Sequence, residues 1–288
     1  MITGASSGIG KSAAKALAAQ GWRIIGLGRD ADRCANALTQ IRAAAVSGVQ
    51  VNMIRADLSL LAEAERAAAE VKSLTSKIDV LINNAGGVAS QLSMTAEGNE
   101  ATFAANHLGP FLLTTRLLPQ LRAAAATASP GAVRIICVSS IGHHNCPGID
   151  WNDLQRTRNF TPGGAYTNAK LANVLFTLGL AKRLQSAGIV AHAMEPGVVL
   201  DSNFVSHADA AMQGYMATLT NVAVSSDEAA QTLVWLALSP EAGRCSGGYY
   251  HRCKPAATSL AAQDQMAADR LWDESETLIA KTKTGVSI

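Results

Sequence analysis

The chain has 288 residues, 48% of them hydrophobic and 16% charged, with a formal net charge of +2. That composition predicts a globular chain with a substantial core, and near-neutrality without a basic run excludes nucleic acid as the main partner. Cys34, Cys137, Cys146, Cys245 and Cys253 are odd in number and lack C-x-x-C spacing, which predicts reduced thiols rather than a disulfide frame or a zinc site. No stretch has the length to cross a bilayer and no leader pattern opens the chain, so the expected address is the cytoplasm, without a membrane anchor.

In chain order, residues 1–3 read as a strand far shorter than the usual ~5–6 residues, so either the strand is short or Met1 is an internal methionine. Gly4, Gly8 and Gly10 then form a glycine-rich turn before a helix over 11–20. Such a turn lets backbone N–H groups approach a pyrophosphate at a helix N-terminus, although many similar strings are ordinary loops. A second strand, 23–27, ends at Gly28-Arg29-Asp30. In a dinucleotide fold an acid at that strand end binds the ribose 2′-OH, whereas an arginine suits a 2′-phosphate; a solvated loop charge is the other reading of Arg29.

A helix over 32–45, a strand over 49–54 and an alanine-rich helix over 60–74 follow. The strand 78–82 breaks at Asn83-Asn84-Ala85-Gly86-Gly87, small enough to let a flat ring lie against the backbone or simply a turn. A long helix over 101–121 carries Asn106 near its centre, a modest helix former that needs either a backbone-bonding kink or a polar relay to explain it. The apolar strand 134–138 leads into Ser139-Ser140, and 141–164 is a long connection. Its His143-His144 pair lacks ligand spacing and reads as loop surface, so no metal is expected. Trp151 there is a candidate substrate contact.

The helix over 165–184 opens with Tyr166-Thr167-Asn168-Ala169-Lys170, which puts Tyr166 and Lys170 one turn apart on one face. A nearby ammonium favours the phenolate, so this pair suits proton exchange with an alcohol oxygen; equally, it suits a ring at the core edge beside a solvated charge. A strand over 190–194 precedes Glu195-Pro196-Gly197-Val198-Val199. Residues 198–224 form an expected substrate loop with Phe204, Met212, Tyr215, Met216 and Leu219 as apolar contacts. Ser225-Ser226-Asp227-Glu228 is a capping box for a helix to residue 238, 246–250 reads as a last strand, and 261–280 as a C-terminal helix with an apolar stripe. The alternation predicts one α/β domain over 1–288: a doubly wound parallel sheet with helices on both faces.

Thr3-Gly4-Ala5-Ser6-Ser7-Gly8-Ile9-Gly10, Asn83-Asn84-Ala85-Gly86, Ser140, Tyr166-Thr167-Asn168-Ala169-Lys170 and Pro196-Gly197, in this order, resemble the short-chain dehydrogenase/reductase family. Asn106-His107-Leu108-Gly109-Pro110-Phe111 and Lys170-Leu171-Ala172-Asn173-Val174-Leu175-Phe176 are similar to its retinol dehydrogenase-like branch. The resemblance covers essentially the whole chain. It implies a Ser140–Tyr166–Lys170 centre, with Asn106 completing a proton relay. It also implies cofactor contacts from Gly4, Ser6, Ser7, Gly8, Ile9, Gly10, Arg29, Asp57, Leu58, Asn83, Ala85, Gly86, Tyr166, Lys170, Pro196, Gly197 and Val199. Asn83 would lie beside the adenosine ribose.

The expected activity is hydride transfer between NADP (NAD less so) and a small hydrophobic carbonyl or alcohol substrate. The resemblance leaves room for a homodimer or homotetramer. Three departures stand out: the truncated first strand, Glu195 where the family often has a small residue or histidine, and Asp201 where it usually has threonine. A non-catalytic dinucleotide sensor or scaffold on the same fold is the alternative, and the intact Ser140, Tyr166, Lys170 and Asn106 set argues against it.

Overall fold

A computed structural model describes residues 1–201 and 210–284, with the side chains of 210–212, 215, 283 and 284 left aside. Its centre is an eight-stranded sheet of order β10-β9-β6-β5-β4-β1-β2-β3. The strands are β1 (Ile2–Thr3), β2 (Ile24–Gly28), β3 (Val51–Arg55), β4 (Val80–Asn83), β5 (Arg134–Val138), β6 (Val190–Met194), β9 (Tyr249–His251) and β10 (Lys254–Pro255). All neighbours are parallel except β9 and β10. The chain winds outward from β1 to β3 and then returns to β4 on the other flank of β1. The switch point therefore lies between β1 and β4, where such folds bind ligands at the strands' carboxyl ends.

Alternation along the strands builds both faces. In β5, Ile135 and Cys137 join one core, whereas Ile136 and Val138 join the other, as a period of two requires. The first core lies under α3 (Leu61–Leu74), α5 (Gly109–Ala125), α6 (Pro162–Leu184) and α9 (Gln265–Thr284); the second lies under α1 (Gly8–Ala18), α2 (Ala31–Ala44) and α8 (Ser226–Leu238). Phe111, Phe176 and Trp272 form an aromatic group in the first core, with ring centroids 4.9–5.8 Å apart. Each such ring, fully buried, stabilises by roughly 1.5–3 kcal/mol.

The stripe of the C-terminal helix is an intramolecular contact. Leu271, Trp272 and Ile279 are buried; the Arg183 guanidinium lies 4.3 Å from the Trp272 ring and that of Arg270 lies 4.5 Å from Trp151. Lys182 and Arg183 both pair with Asp269 at 2.7 and 3.0 Å. Trp151 is thus a docking point for α9 and does not line the cleft described below, which corrects its reading as a substrate contact.

The first strand is central in the sheet: Ile2 and Thr3 are fully buried. Met1 extends the ladder: its N donates to Val80 O at 2.7 Å and its O accepts from Ile82 N at 2.9 Å. Two features had no sequence expectation. Short strands β7 (Val198–Val199) and β8 (Ala223–Val224) pair beside the cleft. Arg252 and Cys253, at φ 47° and 59°, turn β9 into antiparallel β10. Among the described residues no helix is long and apolar enough to cross a membrane.

Candidate active site

A cleft of about 710 Å³ opens at the carboxyl ends of the strands, on the switch point. Its floor at one end is the β1–α1 turn. Gly4 and Gly8 sit at φ 68° and 51°, and a Cβ on Gly4 would lie 2.7 Å from Asn84 Nδ2, so glycine alone suits that crossing. Ser7, the N-cap of α1, does not bond the first-turn amides with its side chain. Gly4, Ser6, Ser7, Gly8 and Ile9 line the cleft at this turn. Gly10 is different: a Cβ there would meet Gly4 O at 2.4 Å and Asn84 Nδ2 at 2.5 Å. It is a packing glycine rather than a lining residue, which corrects its reading as a cofactor contact.

Arg29, Arg33, Asp57 and Leu58 line the same end. Gly28 is pressed between Ser6 and Cys34, each under 3 Å from where a Cβ would stand. Asp30 turns away to cap α2, accepting from Arg33 N at 2.8 Å and facing Arg33 Nε at 3.5 Å. Arg29 lies 4.0 Å from Asp57 with its side chain 57% exposed.

The order of the two asparagines corrects one expectation. Asn83 is the last residue of β4 and shares its face with Leu81, so its amide turns into the core and donates to Thr114 Oγ1 at 2.8 Å. Asn84, one residue on, lines the cleft and ties β4 to the glycine turn by donating to Thr3 O at 2.9 Å. Ala85 and Gly86 line the cleft next to it.

Asn106 sits in a π-turn, Ala104–Leu108, between the short helix α4 (Ala101–Phe103) and α5. Its Nδ2 donates to Thr102 O and Gly87 O, both at 2.7 Å, while Oδ1 accepts from Gly87 N at 3.3 Å. Bonding the carbonyl four residues back is what widens a helix locally. The side chain therefore fixes the Gly86–Gly87 backbone against the helix, and a Cβ on Gly86 would lie 2.3 Å from Asn106 Oδ1 and 3.4 Å from Lys170 Nζ.

Ser140, Tyr166 and Lys170 converge on the other end of the cleft. Ser140 caps the 3₁₀ turn Ile141–Asn145, its Oγ accepting from Gly142 N at 3.1 Å. Its hydroxyl also bonds the Tyr166 phenol. Lys170 is 4% exposed, donates to Val138 O at 3.2 Å and lies 5.4 Å from the Tyr166 ring centroid. Burial lowers its pKa to about 8. For Tyr166, burial dominates and pushes the phenol up to about 12, with the Ser140 hydroxyl opposing. The shift is upward, against the depression expected from Lys170, and the phenol holds its proton.

Pro196, Gly197, Val198 and Val199 complete the wall, joined by Met216 of helix α7 (Ala210–Ala217) and by Leu219, both in the expected substrate loop. Phe204 and the side chains of Met212 and Tyr215 lie outside the described residues. Asp201 braces the start of α8, whose N-cap is Ser225 in a capping box with Glu228: its carboxylate accepts from Ser226 N at 3.0 Å and from Ser226 Oγ at 2.7 Å. His143 is fully buried behind Ser140 and not on the loop surface. Among the described residues no group of three or more His, Cys, Asp or Glu is arranged to hold a metal. Lining residues without a sequence expectation, among them Ile141, Gly142 and Thr167, follow strand β5 or the Tyr166 motif, so the strand-end rule would have found the first two.

Comparison with known proteins agrees with this geometry. The family profile for short chain dehydrogenase matches residues 1–213. Retinol dehydrogenase 13 of Homo sapiens is 37% identical over 284 residues, 97% of this chain and 83% of that protein. Retinol dehydrogenase 12 of Homo sapiens is 38% identical over 279 residues, 96% of this chain and 84% of that one. A crystal structure of a Mycobacterium paratuberculosis protein superposes with a TM-score of 0.74 at 33% identity, over 97% of this chain and 92% of the other. A Pseudomonas aeruginosa RhlG/NADP complex gives 0.67 at 27%, over 86% and 91%. The chain belongs to the short-chain dehydrogenase family, in its retinol dehydrogenase-like branch, and is an NAD(P)-dependent oxidoreductase acting on alcohol or carbonyl groups.

Proposed function

We propose that the chain is an NADP-dependent reductase and dehydrogenase of small hydrophobic carbonyl and alcohol substrates, with Tyr166 as general acid and base. The observation that carries this reading is the meeting of Ser140, Tyr166 and Lys170 in one cleft with the glycine turn at its far end. The residues present fit a dinucleotide: α1 offers first-turn amides that its own N-cap does not use, and helix N-termini suit phosphate. Gly28 supplies neither a carboxylate nor bulk, while Arg29 and Arg33 put two guanidiniums at that end of the cleft, suited to a 2′-phosphate. When bound, the nicotinamide supplies or takes the hydride.

The chain's part is proton handling and orientation. In reduction the substrate oxygen gains charge, and Tyr166, still protonated at neutral pH, is the group able to give it a proton. Ser140, its Oγ accepting from Gly142 N and its hydroxyl bonded to the Tyr166 phenol, stands where it can also position that oxygen. Lys170 places a buried cation beside the phenol, which favours the phenolate left behind. In the oxidative direction the same steps run backwards. Val88, Val138, Ile141, Val199, Met216 and Leu219 give the cleft apolar walls. These and the retinol dehydrogenase relatives support a hydrophobic aldehyde or ketone, or its alcohol.

The test is NADPH oxidation against a panel of nonanal, benzaldehyde and all-trans-retinal, with Tyr166→Phe beside wild type. Tyr166→Phe keeps the ring but removes the acid, so kcat falls by about two to four decades while NADPH binding stays unchanged. Near-normal turnover in that variant overturns the assignment.

A further inference from the structure

Behind the wall that carries Ser140 lies a second polar group that the proposed chemistry does not use. His143 is bonded at both ring nitrogens: Nδ1 lies 2.7 Å from Ser140 O, and Nε2 lies 3.2 Å from Ser259 N. A backbone amide can only donate, so Nε2 is the bare nitrogen and Nδ1 carries the proton. The ring is therefore a neutral, single tautomer, in keeping with burial, which lowers its pKa.

Tyr249 packs on this ring with centroids 5.0 Å apart. Its hydroxyl lies 3.5 Å from His143 Nδ1 and 3.1 Å from Glu195 Oε2. Because Nδ1 is a donor, the bonds have one consistent direction: Nδ1–H points to Ser140 O, with Tyr249 Oη at the edge of its reach, and Tyr249 O–H donates to the carboxylate. Glu195 is 8% exposed. Its other neighbour is His251, whose Nδ1 lies 3.3 Å from the Glu195 carbonyl and 3.5 Å from Oε1. Burying a carboxylate costs several kcal/mol unless its partners repay it, so an ordinary packing role accounts poorly for an acid here. The residue also precedes Pro196 and Gly197, which line the cleft. It thus ties that turn, strand β9 and the Ser140 turn together.

We propose that Glu195, acting through Tyr249 and His143, is a positioning residue for Ser140, holding the turn Ile141–Asn145 so that the Ser140 hydroxyl meets the substrate oxygen. This rests on the reading of Ser140 and Tyr166 given above. It explains why an acid can stand at a position where the family resemblance expects a small residue or histidine.

The experiment compares Glu195→Ala, Glu195→Gln, Tyr249→Phe and the double variant Glu195→Ala/Tyr249→Phe, with Tyr166→Phe as control. The readouts are kcat and KM for the fastest aldehyde of the panel, NADPH affinity by fluorescence, and the ¹⁵N shifts of the His143 ring. A small misplacement of a group that contacts the reacting atoms costs about tenfold or more in turnover. Glu195→Ala and Tyr249→Phe are expected to lose about tenfold in kcat with NADPH affinity unchanged, and the double variant to fall no further than either single one. Glu195→Gln, which keeps an acceptor for the Tyr249 hydroxyl, is expected to recover to within about twofold of wild type. The ¹⁵N spectrum of wild type should show protonated Nδ1 and bare Nε2, with the pattern perturbed in Glu195→Ala.

Wild-type kcat in Glu195→Ala, additive losses in the double variant, a Gln variant as impaired as Ala, or a protonated Nε2 in wild type each overturns the proposal. If Glu195→Ala is normal while Tyr166→Phe is dead, the positioning role alone fails. If Tyr166→Phe retains turnover, the chemical reading fails, and the ring shifts still decide whether Glu195 governs His143.

Discussion

The two ends of the cleft are built on opposite principles. At the end lined by Arg29 and Asp57 the charged groups are exposed: 57% and 32% accessible, 4.0 Å apart. At the catalytic end Lys170 is 4% exposed and Asn106 1%. In water-like surroundings a charge acts weakly and is screened, whereas in a dry site desolvation itself sets protonation. Recognition of the cofactor's outer end should therefore be soft and salt-dependent, and the chemistry at the inner end hard and indifferent to salt.

The largest effect is expected from removing the buried cation. Lys170→Met should lower kcat by about two to four decades, the range for loss of a proton-transfer partner. Because a desolvated ammonium is costly, the variant should melt no lower than wild type. A loss of activity that tracks a loss of melting temperature would mean that Lys170 is only structural.

At the outer end, Arg29→Ala should erase most of an NADPH-over-NADH preference in kcat/KM of about tenfold or more. A charged hydrogen bond is worth roughly 1.5–3 kcal/mol. In wild type, KM for NADPH should rise between low and high salt while kcat stays flat. A wild-type preference for NADH, or a kcat that follows salt, would dissolve the contrast between the two ends.

The pH profile sharpens it further. With Lys170 at about 8, against an ordinary lysine near 10.4, the reductive kcat/KM should carry a basic limb near pH 8 as the ammonium is lost. Stability runs the other way. The unfolded chain binds this proton more tightly, so the Lys170 contribution to folding rises with pH between about 8 and 10. Measuring both on one enzyme tests the sign, and a limb that persists in Lys170→Met would assign it to another group. The smallest effect is mechanical: Asp201→Ala removes the acceptor for Ser226 N and Oγ beside the Ser225 cap of α8 and should cost about 1 kcal/mol of stability, with little change in kcat.

Much of this was legible in the chain. Strands β5 and β6 fall where the apolar runs 134–138 and 190–194 place them, because buried parallel strands are continuous in hydrophobicity. What escaped has physical causes. Two-residue strands such as β7 and β8 are too short to carry a period. His143 was hidden because its value lies in partners from distant segments, Ser259 and Tyr249, which no local pattern reveals. Asp201 looked like an altered cofactor contact because its true partner, Ser226, is distant in sequence and near only in the fold. Asn83 and Asn84 could have been told apart: Asn83 is two residues beyond Leu81 and must share its buried face.

The stacking of arginines on Trp151 and Trp272 gives the molecule an optical signature. The chain has four tryptophans, and among the described residues none lines the cleft. Two of them instead mark the seat of α9 through Arg270 and Arg183. Their emission should therefore report whether the C-terminal helix is docked, red-shifting when it leaves. Quenching by bound NADPH would have to arise by energy transfer through space rather than by contact. One cuvette can thus follow ligand and helix as separate signals.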